Sequence, residues 1–403
     1  MANLQVNFCG INFKNPVIVS SIEPTNSLDN LKKCIDAGAA GAVVKTLTDI
    51  PSMHALTRHS RYAVLNEEGR IIKGKVPRPF TFYSRSGYAK EDYRDWAAWL
   101  KEIQDYARKN EAHIITSVGA GSLEGWQEIS RMAQDCGAPM LELNLGCPHP
   151  TQMTEARAGV LICQDPQASA EVVEAVKAAV DIPIMVKLSP EAANLTVIAR
   201  SVQQAGAQAV TVNSRFTGFC VDIQTGQPYI GGPAGVGGPW VKPITLRWVH
   251  DIHAKLGMAI AGSNGIYDWR DAVEFIMSGA SIMQVGSVLM LKGHKWLGKI
   301  IKGVDQFLDE KGYADVAEIH GIASRQAAAS YNQTFEEKGK HAVIDPEKCT
   351  LCWNCVRSCF YGAMAKGEEQ VLTLTENCIG CELCYSVCPF DAVGFEANSK
   401  DVF

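Results

Sequence analysis

The chain has 403 residues, 47% hydrophobic and 20% charged, with a net charge of −5. This is ordinary globular composition, enough for two to four domains of roughly 100–200 residues, or for one barrel of about 250 plus a smaller unit. It excludes a disordered chain, and the charge gives no reason to expect nucleic acid or an anionic membrane as a partner. No apolar run approaches the ~18 residues of a spanning helix. The N-terminus has no basic region followed by an apolar stretch, so no signal peptide is expected and a cytoplasmic location is. Cysteine is uneven: residues 1–340 hold six, and the last 63 residues hold eight. Charge is uneven too, with nine acidic and four basic residues from 341 to 403. Two units of different chemistry share the chain.

The expected elements begin with a strand at Pro16–Ser21, ending in Ser20 and Ser21. Asp36-Ala37-Gly38-Ala39 then leads into Gly41–Val44, followed by Lys45 and Thr46. Ser52–Arg78 has little periodicity and several charges, and reads as a loop over one end of the fold. Asp92–Asn110 is amphipathic and precedes a strand at Ile114–Val118. Cys136-Gly137-Ala138 leads to Met140–Asn144, and the amphipathic Ser169–Val180 precedes Ile184–Leu188, which contains Lys187. Ala205-Gly206-Ala207 leads to Ala209–Asn213. Thr217–Pro239, rich in Gly and Pro, reads as a second long loop, and such loops tend to be functional. Met258–Gly262 runs into Ser263 and Asn264. Trp269–Ser278 is amphipathic, and Ser278-Gly279-Ala280 then leads to Ser281–Val285.

The recurring unit is a helix ended by a left-handed glycine, then a short apolar strand buried on both faces. Four strands show this unit and four more apolar runs fit as strands; eight strands and about eight helices in some 310 residues favour a closed (β/α)₈ barrel over a doubly wound open sheet. The expected division is a barrel over 1–312, a linker over 313–340 and a small α+β domain over 341–403. Polar residues gather where the strands stop, the face on which barrels of this type build active sites.

The short unit carries two cysteine runs. Cys349, Cys352, Cys355 and Cys359 are spaced C-x₂-C-x₂-C-x₃-C, and Cys378, Cys381, Cys384 and Cys388 repeat the spacing with Pro389 following. This is the bacterial-type ferredoxin pattern for two [4Fe–4S] clusters, in which the fourth cysteine of each run serves the other cluster. One cluster is therefore assigned Cys349, Cys352, Cys355 and Cys388, and the other Cys378, Cys381, Cys384 and Cys359. Zinc is the alternative that the doubled spacing disfavours. Phe360 follows Cys359 where proline is usual. It is expected to alter the local turn without abolishing the cluster. Clusters move single electrons, so the barrel is expected to hold a two-electron centre.

The fourth strand runs into Asn144-Leu145-Gly146-Cys147-Pro148-His149. A thiol there, with an unperturbed pKa near ~8.5, can act as a general acid. The bland reading is a buried small hydrophobe, which is the expectation for Cys9, Cys34, Cys136 and Cys220.

This motif resembles the Asn-x-Ser-Cys-Pro signature of the dihydroorotate dehydrogenases and of the C-terminal half of dihydropyrimidine dehydrogenase. The latter also has a two-cluster segment directly after its barrel. Transfer-RNA dihydrouridine synthases share a Gly-Cys-Pro version but lack that tail, and a near-neutral barrel does not suit RNA. The resemblance spans about 5–395 and implies FMN at the barrel mouth. It implies contacts to the flavin from Ser20 and Ser21, from Lys45 and Thr46, from Asn144, Lys187 and Asn213. Phosphate contacts are implied for Gly238, for Ser263-Asn264-Gly265 and for Gly286-Ser287. Two lysines would favour the electron-rich reduced ring, and glycine amides would cradle the phosphate.

The implied reaction is hydride transfer between flavin N5 and one carbon of a ring C=C, as in reduction of uracil or thymine to the 5,6-dihydro form. Cys147 would exchange the proton at the adjacent carbon, and electrons would arrive through the clusters. No G-x-G-x-x-G turn lies between a strand and a helix. A separate electron donor is therefore expected, either an NAD(P)H-dependent FAD subunit or a ferredoxin. The resemblance also implies a homodimer or hetero-oligomer. The substrate contacts fall to Ser84, Asn144, His149, Ser214 and Arg215. Ser84 stands where the pyrimidine enzymes have an asparagine, and Arg215 departs from their pattern, as does the loop Pro150–Gln164 with Arg157. An arginine suits a carboxylate, so a carboxylated ring substrate, dihydroorotate-like or other, is the alternative. Arg215 pairing with a loop acid such as Asp222 is the bland reading. An alternative of another class is a non-catalytic electron-transfer subunit.

Overall fold

A computed structural model describes residues 2–149, 159–333 and 339–398, with 328–333 by backbone alone. The chain divides into two compact units, Met1–Gln326 and Ala327–Phe403. The stretch expected as a linker contains helices at Val316–Ile319 and Ile322–Gln333.

The first unit is a closed parallel barrel. Its strands are β1 (Val17–Val19), β2 (Gly41–Val43), β3 (His113–Val118), β4 (Leu141–Asn144), β5 (Ile184–Lys187), β6 (Ala209–Val212), β7 (Ala259–Ser263) and β8 (Ile282–Val285). Consecutive strands pair in parallel, and β8 closes on β1 through Gln284 opposite Ile18. Helices such as Trp96–Lys109 and Leu123–Asp135 bury their apolar faces against the outside of the barrel. Gly279 ends Trp269–Ser278 at a φ of 112°, where a Cβ would come 2.3 Å from the His253 ring.

A second apolar cluster fills the lower barrel interior with Ile18, Val43, Ile115, Met185, Ala261 and Ile282. Phe8 and Phe13, from the N-terminal hairpin Val6–Phe8 and Ile11–Phe13, pack into the same cluster and are almost wholly buried.

Both expected loops prove to be partly ordered. Ser52–Arg78 overlaps the helix Pro51–Arg58 and contains the strand Arg61–Leu65. Thr217–Pro239 supplies much of Phe216–Gly218 and all of Ala234–Gly237. With Thr81–Arg85 these strands form one antiparallel four-stranded sheet, in which Tyr83 lies opposite Val236 and Ser84 opposite Gly235.

The second unit is a small α+β domain of two antiparallel strand pairs, Lys340–Ile344 with Val393–Ala397 and Met364–Lys366 with Val371–Thr373. Short helices at Asn354–Ser358 and Leu383–Ser386 carry the third cysteine of each run.

Candidate active site

The strand ends of the barrel converge on one open cavity. Ser20 and Ser21 after β1, Lys45 and Thr46 after β2, Asn144 of β4 and Lys187 of β5 all line it. So do Asn213, Ser214 and Arg215 after β6, Gly238, Ser263-Asn264-Gly265, and Gly286-Ser287 after β8. Sixteen positions marked in the sequence thus meet at one mouth, Cys147 among them. Ser84 and His149 do not line it. Arg157 lies outside the described residues.

Thr46 knots the rim. Its hydroxyl accepts from Asn144 Nδ2 at 2.9 Å and lies 2.9 Å from Ser117 Oγ. Lys45 pairs with Glu23 at 2.7 Å, and the Tyr62 hydroxyl donates to the same carboxylate at 2.6 Å. Burial alone would raise the Glu23 pKa, but the Lys45 ammonium and the Tyr62 hydroxyl overcome it and hold the carboxyl at about 2. Lys187 donates to Ser20 Oγ at 3.2 Å and lies 3.6 Å from Glu142.

The residues present fit a flavin. Asn213 Nδ2 and Gln284 Oε1 are buried in the cavity lining without a hydrogen-bond partner, an arrangement that polar ligand atoms would complete. At Gly238 (φ 137°) a Cβ would come 2.5 Å from the Phe80 carbonyl, and at Gly265 (φ 114°) 2.8 Å from Lys242 Cα. Only glycine fits the backbone there, and both glycines line the cavity.

Cys147 is nearly buried and packs with Ile50, Met53 and Tyr88. Burial pushes its thiol above the ordinary value. A hydrogen bond from backbone at His149, and the charges of Arg215 and Lys45, pull less strongly the other way. The Tyr88 hydroxyl faces this thiol, though the contact falls short of a well-formed hydrogen bond. His149 lies behind the site with Nε2 unpartnered, and burial first, then Arg215 and Lys45, push its pKa down to about 3. It is therefore a neutral imidazole. Arg215 does not pair with Asp222. It donates to the Ser84 carbonyl at 3.3 Å and to the Ser84 hydroxyl, so Ser84 acts behind the arginine and not on the cavity surface. Gly235 clears the space, since a Cβ there would come 2.9 Å from Arg215 Cζ.

Sequence reading missed Glu23, Tyr62, Tyr88, Glu142 and Gln284. Glu142 and Gln284 had a signal, being polar residues inside strands otherwise apolar. Tyr88 had none.

In the second unit the eight cysteines fall into two cavities. Cys349, Cys352, Cys355 and Cys388 line one of about 320 Å³, and Cys359, Cys378, Cys381 and Cys384 one of about 480 Å³. The two runs fold alike. The residues flanking the second cysteine are left-handed in both, Leu351 and Trp353 in one, Gly380 and Glu382 in the other. Such strained backbone curls each loop around its cavity. Backbone N–H groups of Ala342 and Ala392 each donate to sulfur, of Cys378 and Cys388, at 3.4 Å. Phe360 is 92% exposed, and Cys359 keeps its place with the other run.

Residues 3–308 match the family described as dihydroorotate dehydrogenase, well over half of the chain. The chain belongs to the dihydroorotate dehydrogenase family. Residues 342–395 match a 4Fe-4S dicluster domain. This family member is 32% identical to the dihydroorotate dehydrogenase B (NAD(+)) catalytic subunit of Pyrococcus abyssi, over 79% of the chain and 99% of that relative. It is 28% identical to the NAD-dependent dihydropyrimidine dehydrogenase subunit PreA of Escherichia coli K12, over 97% of the chain and 95% of that relative. It is a flavin and iron–sulfur oxidoreductase acting on a CH–CH bond, with FMN and two [4Fe–4S] clusters as cofactors. Among the described residues no helix is long and apolar enough to cross a membrane.

Proposed function

We propose that this chain is the catalytic subunit of a dihydropyrimidine dehydrogenase-type enzyme that interconverts a ring C=C and its dihydro form. Bound FMN supplies hydride exchange with one ring carbon, and the clusters supply single electrons. Lys45 and Lys187 present positive charge to the flavin, with Asn144, Thr46 and Ser20 orienting it. The backbone at Gly238 and Gly265, with Ser263, Asn264, Gly286 and Ser287, receives the phosphate. Cys147 holds the proton for the second ring carbon. Its burial keeps the thiol protonated at neutral pH, which suits donation, and excludes water from the transfer.

The observation that carries this reading is the convergence of Cys147 with both lysines on one cavity in a chain that also folds two four-cysteine cavities. That combination needs an electron route as well as a proton donor. The match to the dihydropyrimidine dehydrogenase subunit extends over both units, whereas the match to the dihydroorotate dehydrogenase B catalytic subunit of Pyrococcus abyssi covers 79% of the chain. A separate electron donor, an NAD(P)H-dependent FAD subunit or a ferredoxin, completes the enzyme, in a homodimer or hetero-oligomer.

Arg215 favours a second reading of the substrate. It lines the cavity with no carboxylate partner among the described residues, held in place by Ser84. A carboxylate on the ring would complete it. One experiment separates the readings. The protein is purified without oxygen and reduced with dithionite, and its reoxidation is followed as uracil, thymine, orotate and other acidic cyclic enes are added. Reoxidation by uracil or thymine supports the pyrimidine role. Reoxidation by acidic rings alone assigns the pocket to a carboxylate. A protein without a flavin spectrum would overturn both.

A further inference from the structure

Three polar side chains sit inside the barrel, on alternate strands: Glu142 of β4, Thr211 of β6 and Gln284 of β8. These strands are not neighbours, so the side chains meet only across the barrel interior, where one layer is built from alternate strands. Glu142 is wholly buried. Its Oε2 accepts from Thr211 Oγ1 at 2.8 Å and from Gln284 Nε2 at 2.5 Å. Its Oε1 accepts no hydrogen bond and lies 3.6 Å from the Lys187 ammonium. Lys187 and Gln284 line the cavity, and Glu142 stands one side chain behind them.

A buried carboxylate is costly unless paired and hydrogen-bonded, and an apolar layer of equal volume is often as stable or more so. The neighbouring interior is such an apolar layer. The charge therefore does little for stability that Leu or Met would not do. What it does is fix Lys187 and offset part of its charge. We propose that Glu142 is a positioning residue that sets the reduction potential of the flavin through Lys187. This rests on the reading that the flavin occupies the cavity above. A lysine alone favours the electron-rich reduced ring. A carboxylate fixed behind the lysine opposes that effect and keeps the centre strongly reducing, as reduction of a ring C=C demands.

The test uses the full-length holoprotein, titrated anaerobically against a reference dye and read from flavin absorbance. Glu142→Gln keeps the shape and the acceptor for Thr211 and Gln284 but removes the charge. The expected result is a shift of at least tenfold toward reduced flavin, about 30 mV for a two-electron couple. Glu142→Asp, which keeps the charge, is expected to stay closer to wild type than Glu142→Gln does. An unchanged equilibrium, or a shift toward oxidised flavin, in Glu142→Gln overturns the inference. Should Glu142→Gln fail to retain flavin, Lys187→Met leaves the carboxylate uncompensated and must move the equilibrium the opposite way; no movement there overturns it equally. A wild-type protein with no flavin would instead overturn the assignment of the cavity.

Discussion

Arg215, three residues beyond the end of β6 and on the cavity lining, is held by the hydroxyl and the carbonyl of Ser84. The serine is short enough to leave room for the guanidinium and polar enough to anchor it. The two departures from the pyrimidine pattern thus work as a pair, one supplying a charge and the other its seat. Charge-assisted hydrogen bonds contribute about 1.5–3 kcal/mol. Arg215→Ala is therefore expected to raise KM for a carboxylated ring substrate about 10–100-fold, with little change for a neutral ring. Steady-state kinetics with both substrates checks this.

The proton-transfer role proposed for Cys147 has a kinetic signature. Its removal in Cys147→Ala is expected to lower kcat by about 10²–10⁴, the usual worth of a positioned acid. The pH dependence has a definite sign. Burial raises the thiol pKa, so the acid form persists through neutral pH. Ring reduction is expected to be flat through neutrality and to fall only above the ordinary thiol range near ~8.5. The reverse reaction needs the thiolate and is expected to rise with pH over that same range. Rates measured in both directions test the pair of profiles.

The cysteine cavities cross between the runs, so iron content should follow the cavity and not the run. Cys359→Ser is expected to damage the same cluster as Cys381→Ser, and Cys349→Ser the same cluster as Cys388→Ser. Each variant should lose roughly half the iron of a two-cluster protein. Iron assay with low-temperature electron paramagnetic resonance of the reduced protein distinguishes them. Damage grouped by run instead would contradict the crossing.

His149 ties stability to pH. In the folded chain its pKa is about 3. Unfolded, it titrates near ~6.5. Between those values the unfolded state binds more protons, so stability rises with pH from about 3 to about 6.5 and then levels off. The slope is on the order of 1 kcal/mol per pH unit. His149→Asn should flatten it. Thermal unfolding of both proteins at pH 5, 6 and 7 measures the difference.

Much of this fold is legible from short apolar runs entered through Gly-Ala turns. Four of the eight barrel strands follow such turns and the other four follow from their apolar runs alone, because buried parallel strands need nothing but local apolarity. The four-stranded sheet over the mouth is not legible in the same way. Its central pairing joins Tyr83 to Val236, far apart in the chain, and each strand alone is short and mixed in polarity. The site divides similarly. Residues at strand ends, such as Lys45 and Asn144, are visible because the barrel sends every strand end to one face. Tyr88 reaches Cys147 only through tertiary folding, and nothing near it in sequence marks it. Glu142 was visible as a charge within an apolar strand, but its meaning depends on Thr211 and Gln284, which only barrel closure brings to it.

The hairpin aromatics Phe8 and Phe13 have a consequence for traffic. Together with Ile18, Ile115 and Met185 they make the lower end of the barrel a solid floor, so no passage runs along the barrel axis. A ring compound must therefore come and go on the strand-end side, where the polar residues of the site gather.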